Sequence, residues 1–111
     1  MIDVDKAIAA AVNSGKVAFG TKEALLNAKT GKARLILVSR NVPAETQNDL
    51  NYYGRLSGVP VVSYRRDGVD LGMICGKPFA VSALVVREVG NSEILKLVES
   101  DESEPNEIGE D

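Results

Sequence analysis

The side chains that could carry covalent or acid–base chemistry are few. Cys75 is the single cysteine and the chain holds no histidine, so a thiol nucleophile has no imidazole to activate it. An internal disulfide is impossible, and a zinc cluster lacks both its thiolates and its imidazoles. Asp67 and Asp70 form the one carboxylate pair near a turn, and an exposed pair of that kind is normally solvated. Neither G-x-x-x-x-G-K-[ST] nor G-x-G-x-x-G occurs; Gly31-Lys32-Ala33 lacks the earlier glycine and the hydroxyl. No enzymatic reaction is expected, and no cofactor or small-molecule substrate.

What remains is binding chemistry. Lys22 falls in a first helical turn, where the dipole disfavours a cation unless a phosphate or another acceptor compensates. Its structural alternative is an exposed lysine tolerated at tenths of a kcal/mol. Asn41 carries an amide acceptor and two donors, a set that can pair with a base edge, or else cap the helix that follows Pro43. Phe79 sits between Pro78 and a strand, placed either to stack on an unstacked base or to begin that strand's core. Cys75 reads as a small buried hydrophobe.

The elements that must position these residues alternate in type. Asp3 caps a helix with Val4, Ala7, Ile8, Ala11 and Val12 on one face, stopped at Gly15. A strand from Lys16 to Phe19 closes at Gly20. Thr21 is expected as N-cap of a second helix, which Gly31 ends. Arg34 to Val38 is a continuous apolar run, the pattern of a strand buried on both faces. Pro43 suits the first turn of a helix reaching about Leu56, with Leu50, Tyr53 and Leu56 expected inward. Val59 to Tyr64 reads as a strand that Pro60 confines to an edge or to its first residues.

Between Arg65 and Gly76 two structures compete. Asp67-Gly68 suits a β-hairpin turn, and equally a short helix from about Val69 to Cys75 entered at Asp67. Ala80 to Val89 is rich in β-formers and should be the last strand. Asn91 or Ser92 then caps a short helix using Ile94, Leu95 and Val98. Helices alternating with strands argue for a layered α/β domain with helices on both faces of the sheet.

The net charge of −3 hides an asymmetry. Residues 1–98 hold all 13 Lys and Arg against nine acids, giving +4, while residues 99–111 carry −7. One folded α/β domain over 1–98 and a disordered acidic tail over 99–111 are therefore expected. No apolar run approaches a membrane span, and Met1 to Asp5 lacks the basic-then-apolar order of a secretory signal, so a cytoplasmic, membrane-free protein is expected.

That order of elements, together with Gly20-Thr21-Lys22, Arg40-Asn41, Asn51 to Pro60 (NYYGRLSGVP), Leu71-Gly72 and Gly76-Lys77-Pro78-Phe79, resembles the L-thirty-e family of archaeal and eukaryotic large-subunit ribosomal proteins. The likeness covers residues 2–98 and leaves the acidic tail outside. It implies a three-layer α/β/α sandwich with a mixed four-stranded sheet, and it favours the helix over the hairpin for Val69 to Cys75. It further implies binding of kinked (kink-turn or internal-loop) ribosomal RNA through loops gathered at one end of the sheet, in the cytoplasm, within the ribosome. On the matching positions, the contacts would fall to Gly20, Thr21, Lys22, Arg40, Asn41, Lys77, Pro78 and Phe79. Neighbouring ribosomal proteins are further candidate partners, and the free protein is expected to be monomeric. Arg55 is a candidate for RNA away from that site. The rival reading is a protein-interaction module on the same fold, for which the surface around Tyr52 and Tyr53 would matter and the Lys22, Asn41 and Phe79 set would not.

Overall fold

The structure is a computed structural model that describes residues 3–96. The acidic segment 99–111 and Val98, expected in the last helix, lie outside the described residues. Eight elements follow one another: α1 (Val4–Ser14), β1 (Lys16–Phe19), α2 (Thr21–Thr30), β2 (Leu35–Val38), α3 (Ala44–Ser57), β3 (Val61–Ser63), α4 (Gly68–Ile74) and β4 (Ala83–Glu88).

The expected apolar run forms the centre. All four residues of β2 are buried, as are Ala83 to Val86 of β4. The strand order is β1-β4-β2-β3, with β4 antiparallel to both neighbours and β2 parallel to β3. Each fully buried Leu, Ile or Val contributes roughly 1.5–3 kcal/mol. The sheet is therefore fixed by its two middle strands, which leaves the loops at its ends free to carry polar residues. The β3 strand is an edge and Pro60 stands just before it, both positions its missing N–H allows, and the Pro60 carbonyl accepts from the Ile36 N–H at 2.9 Å.

Because side chains alternate along a strand, the two faces have separate cores. On one face α1 and α4 bring Ile8, Ala11, Leu71 and Cys75 against Leu35, Leu37, Leu84 and Val86. On the other, α2 and α3 bring Ala24, Ala28 and Leu50 against Ile36, Val38, Ala83 and Val85. This is the three-layer α/β/α sandwich with a mixed four-stranded sheet. After β4, Ile94 returns to the first of these cores, and the Ser92 hydroxyl accepts from the Ile94 N–H at 3.0 Å.

The competition around Asp67 resolves as a helix. The Asp67 carboxylate accepts from the Asp70 N–H at 3.2 Å, and Leu71 and Cys75, one turn apart, are buried beneath it. Two details differ from expectation. Thr21 is the first residue of α2 rather than its cap; the cap position belongs to Gly20, with no side-chain hydrogen bond. Leu56 is not on the inner face of α3 but 68% exposed. At about 100° per residue, Leu56 lies about 240° from Leu50, whereas Gly54 lies about 40° away and is the buried neighbour.

Candidate nucleic-acid interface

Topology decides which loops meet. Since β2 and β3 are parallel and β4 runs against β1 and β2, the C-terminal ends of β1, β2 and β3 and the N-terminal end of β4 share one end of the sheet. The loops there are stitched together by backbone bonds. The Gly20 N–H donates to the Ala83 carbonyl, Ser39 to Ser82 and Arg40 to Arg66, all at 2.8–2.9 Å. All eight expected site residues therefore lie at this end: Gly20 in a loop with Thr21 and Lys22 opening α2, and Arg40, Asn41 and Lys77 to Phe79 in loops.

Gly20 has φ +108°, a region that L side chains rarely adopt, and a Cβ built there would meet nothing within 4 Å. The backbone is thus open to solvent where α2 begins. With no side chain capping it, the helix presents its first N–H groups outward, a natural seat for an anion. Lys22 is exposed beside it.

Asn41 is held by two donors. Its Oδ1 accepts from the Ser39 hydroxyl at 3.0 Å and from the Gly68 N–H, at the start of α4, also at 3.0 Å. A backbone N–H can only donate, so the atom facing it must be the amide oxygen. Ser39 is buried at 1% exposure, which makes this anchor part of the fold. Both lone pairs of the oxygen are taken, and the exposed –NH2 is left as a pair of donors. Two expectations are corrected: Asn41 does not cap α3, whose cap position is Pro43, and its amide presents donors only rather than a donor and an acceptor.

The third loop is positioned by α4. Gly72 lies so close that a Cβ there would stand 2.0 Å from the Phe79 carbonyl oxygen, so only glycine lets the helix meet this segment. The Val81 N–H donates to the Gly68 carbonyl at 2.9 Å. Phe79, backed in this way, is 56% exposed and is not a core residue of β4, which begins only at Ala83. Lys77 extends its ammonium over the Phe19 ring, 5.0 Å from the centroid, tying this loop to the end of β1.

Sequence reasoning missed Arg65 and Arg66, which follow β3 at the same end. The Arg66 carbonyl holds the Arg40 N–H, and Arg65 lies 4.0 Å from Asp5. Asp5 also accepts from the buried Tyr64 hydroxyl at 2.7 Å. The signal was available: a strand parallel to β2 must deliver the residues after it to the same end as Arg40. Among the described residues, Lys22, Arg40, Arg66 and Lys77 are in no ion pair. Cys75 is buried, and that burial pushes its thiol up to about 11, far from thiolate reactivity. Tyr52 is exposed and meets half-buried Tyr53 edge-on at 5.1 Å on α3, away from the loop end.

Exposed cations, amide donors, an open helix N-terminus and a presented ring are thus brought to one end of the sheet, among the acids of the helix first turns. The chain belongs to the Ribosomal protein L7Ae/L30e/S12e/Gadd45 family, whose family model matches residues 2–96. It is similar to the large ribosomal subunit protein eL30 of Methanothermobacter thermautotrophicus, with 39% identity over 87% of this chain and 99% of that one. The eL30 proteins of Methanocaldococcus jannaschii (42% identity; 91% and 92% covered) and Methanococcus maripaludis strain C5 (45%; 86% and 91%) are similar too. These relatives are large-subunit ribosomal proteins by name, and the chain is a ribosomal protein rather than an enzyme. No helix among the described residues is long and apolar enough to cross a membrane.

Proposed function

We propose that this chain is a ribosomal protein of the large subunit that binds kinked, internally looped ribosomal RNA through the loops Gly20 to Lys22, Arg40-Asn41 and Lys77 to Phe79. The observation that carries this reading is the Asn41 amide. Its oxygen is locked by Ser39 and Gly68, so its donors are pre-aimed at acceptors, and of the base edges guanine, with O6 and N7, offers two adjacent acceptors in its groove edge. In a regular A-form duplex that edge is hidden in a deep, narrow groove; a kink or internal loop exposes it. The other loops supply what a backbone and an unstacked base require. The open N-terminus of α2, with Lys22, suits a phosphate, Arg40 and Lys77 add charge, and Phe79 offers a stacking face behind Pro78. The eL30 relatives are large-subunit proteins by name, which supports the same placement.

The test is a titration of the full chain with a kink-turn RNA and with an unkinked duplex of equal length at the same salt. A strong preference for the kinked RNA is expected, and equal affinities would overturn the reading.

A further inference from the structure

The end of the sheet opposite the loops described above has its own charge pattern. Six cations gather there: Lys16 at the start of β1, Lys29 and Lys32 at the end of α2, Arg34 before β2, Arg55 in the last turn of α3, and Arg87 near the end of β4. They belong to one end because α2 and α3 finish side by side, with the Ser57 hydroxyl donating to the Lys29 carbonyl at 3.3 Å. The Arg34 N–H likewise donates to the Val86 carbonyl at 2.8 Å. Lys16, Lys32 and Arg87 line a single open cleft of about 370 Å³, with the edge-strand residues Val17 and Ala18 and with Glu88.

The acids of the described residues are elsewhere. Asp3 and Asp5, Glu23, Glu45 and Asp49, and Asp67 and Asp70 stand in or before the first turns of helices or in the turn after, and Glu93 pairs with Lys96 beside α1. Only Glu88 lies at the far end, 3.7 Å from Lys16, with both side chains largely exposed. Helix dipoles account for Lys29, Lys32 and Arg55, which sit at C-terminal ends where a cation is favoured. They do not account for Lys16, Arg34 and Arg87, which lie at strand ends, where backbone dipoles nearly cancel. Six like charges against one carboxylate repel each other, and an anionic partner relieves that repulsion.

We propose that this far end is a second RNA-binding face, one that takes a sugar–phosphate backbone by charge alone. It carries exposed cations and an edge strand, with the exposed Tyr52 ring on its α3 flank beside Tyr53, over which Lys29 lies at 4.9 Å, and with no side-chain amide anchored there among the described residues, so it suits a sugar–phosphate backbone rather than a base edge. The six residues of β4 separate the two ends by roughly 20 Å at about 3.3 Å per residue, so one domain can hold two RNA segments at once. The candidate site would then confer selectivity and the far face a salt-sensitive second grip.

The full chain, saturated with kink-turn RNA, is titrated with a short fluorescent RNA duplex and the anisotropy is followed from low to physiological salt. A ternary complex is expected. Lys16→Gln, Lys32→Gln and Arg87→Gln together should weaken duplex binding roughly tenfold or more at low salt and lower the salt slope by about 3, while leaving kink-turn affinity within about twofold. The same duplex titration on a chain neutralised at Lys22, Arg40 and Arg66 keeps this proposal separable from the kink-turn reading, since far-face binding should survive there. Failure of the complex to bind duplex, or binding indifferent to the triple substitution, overturns the proposal. Zero-length crosslinks from Lys16 or Lys32 to carboxylates of residues 99–111 that persist at saturating duplex would overturn it too, by assigning the face to the chain's own acidic segment.

Discussion

Replacing Asn41 by aspartate separates what this residue does for the fold from what it does for a ligand. Its oxygen accepts from the Ser39 hydroxyl and the buried Gly68 N–H, and an aspartate oxygen in the same place accepts from both. Asn41→Ala leaves that N–H without a partner, at a cost of about 1–3 kcal/mol. For a domain of this size this lowers the melting temperature by roughly 4–8 °C per kcal/mol. Asn41→Asp keeps the anchor and should melt within a few degrees of the parent. For RNA the order reverses. The aspartate has no donors and sets a negative charge where base acceptors and phosphates approach, so it loses the base contact, roughly 1–3 kcal/mol, and adds repulsion. A loss of roughly a hundredfold in kink-turn affinity is expected for Asn41→Asp, with less for Asn41→Ala measured well below its melting point. Thermal melts and anisotropy titrations at one salt concentration give both quantities. An Asn41→Asp protein that binds kink-turn RNA within about threefold of the parent would refute the role given to the amide donors.

Phe79→Ala should weaken RNA binding by about 1–3 kcal/mol with little change in melting temperature, because the ring is more than half exposed; a large thermal loss with unaltered residual binding would return Phe79 to the core. Lys22→Gln and Arg40→Gln should each flatten the salt dependence of binding by about one phosphate contact, read as the slope of log affinity against log salt. Burial first, and then the hydrogen bond to Asp5, push the Tyr64 hydroxyl up to about 12 from its ordinary 10. The stability this gives is complete below pH 10 and is lost as pH rises through 12, roughly 2–3 kcal/mol in all, so denaturant melts should show a fall that Tyr64→Phe removes. Deleting residues 99–111, which carry −7, should tighten RNA binding at low salt, with a gain that shrinks as salt screens the charges; unaltered low-salt affinity would count against a competing role for this segment.

The parts of the fold legible in the sequence were those governed by local periodicity. The run Leu35 to Val38 has a single reading because four consecutive β-forming apolar residues must be buried on both faces, and β2 is the inner strand that follows. Gly31 ends α2 as expected, in the left-handed conformation, and Gly58 ends α3 in the same way. Where two local readings were of similar strength, a partner distant in sequence decided. Asp67-Gly68 serves a hairpin or a helix equally well until Asn41 supplies the acceptor for the Gly68 N–H, and Gly72 the room for the Phe79 carbonyl, neither of which is a local property. Leu56 went wrong through its spacing: six residues from Leu50 it faces away, while the position four residues on is a glycine packed against Val59.

The candidate site was only partly legible for the same reason. Each of its residues has an ordinary local explanation, and the types alone do not say that they meet. They meet because a parallel β2–β3 pair and an antiparallel β4 send four chain segments to one end. The same rule brings Arg65 and Arg66, residues whose types are no more distinctive than those of any surface arginine. The amide of Asn41 shows how far a residue type can mislead about the groups it presents. Free in solution it is both donor and acceptor, but with Ser39 and Gly68 occupying its oxygen only donors remain. On the function proposed above, selectivity at this end is a property of the scaffold behind the side chain. A substitution at Ser39 or in the turn before α4, touching no RNA, should disturb recognition as surely as one at Asn41 itself.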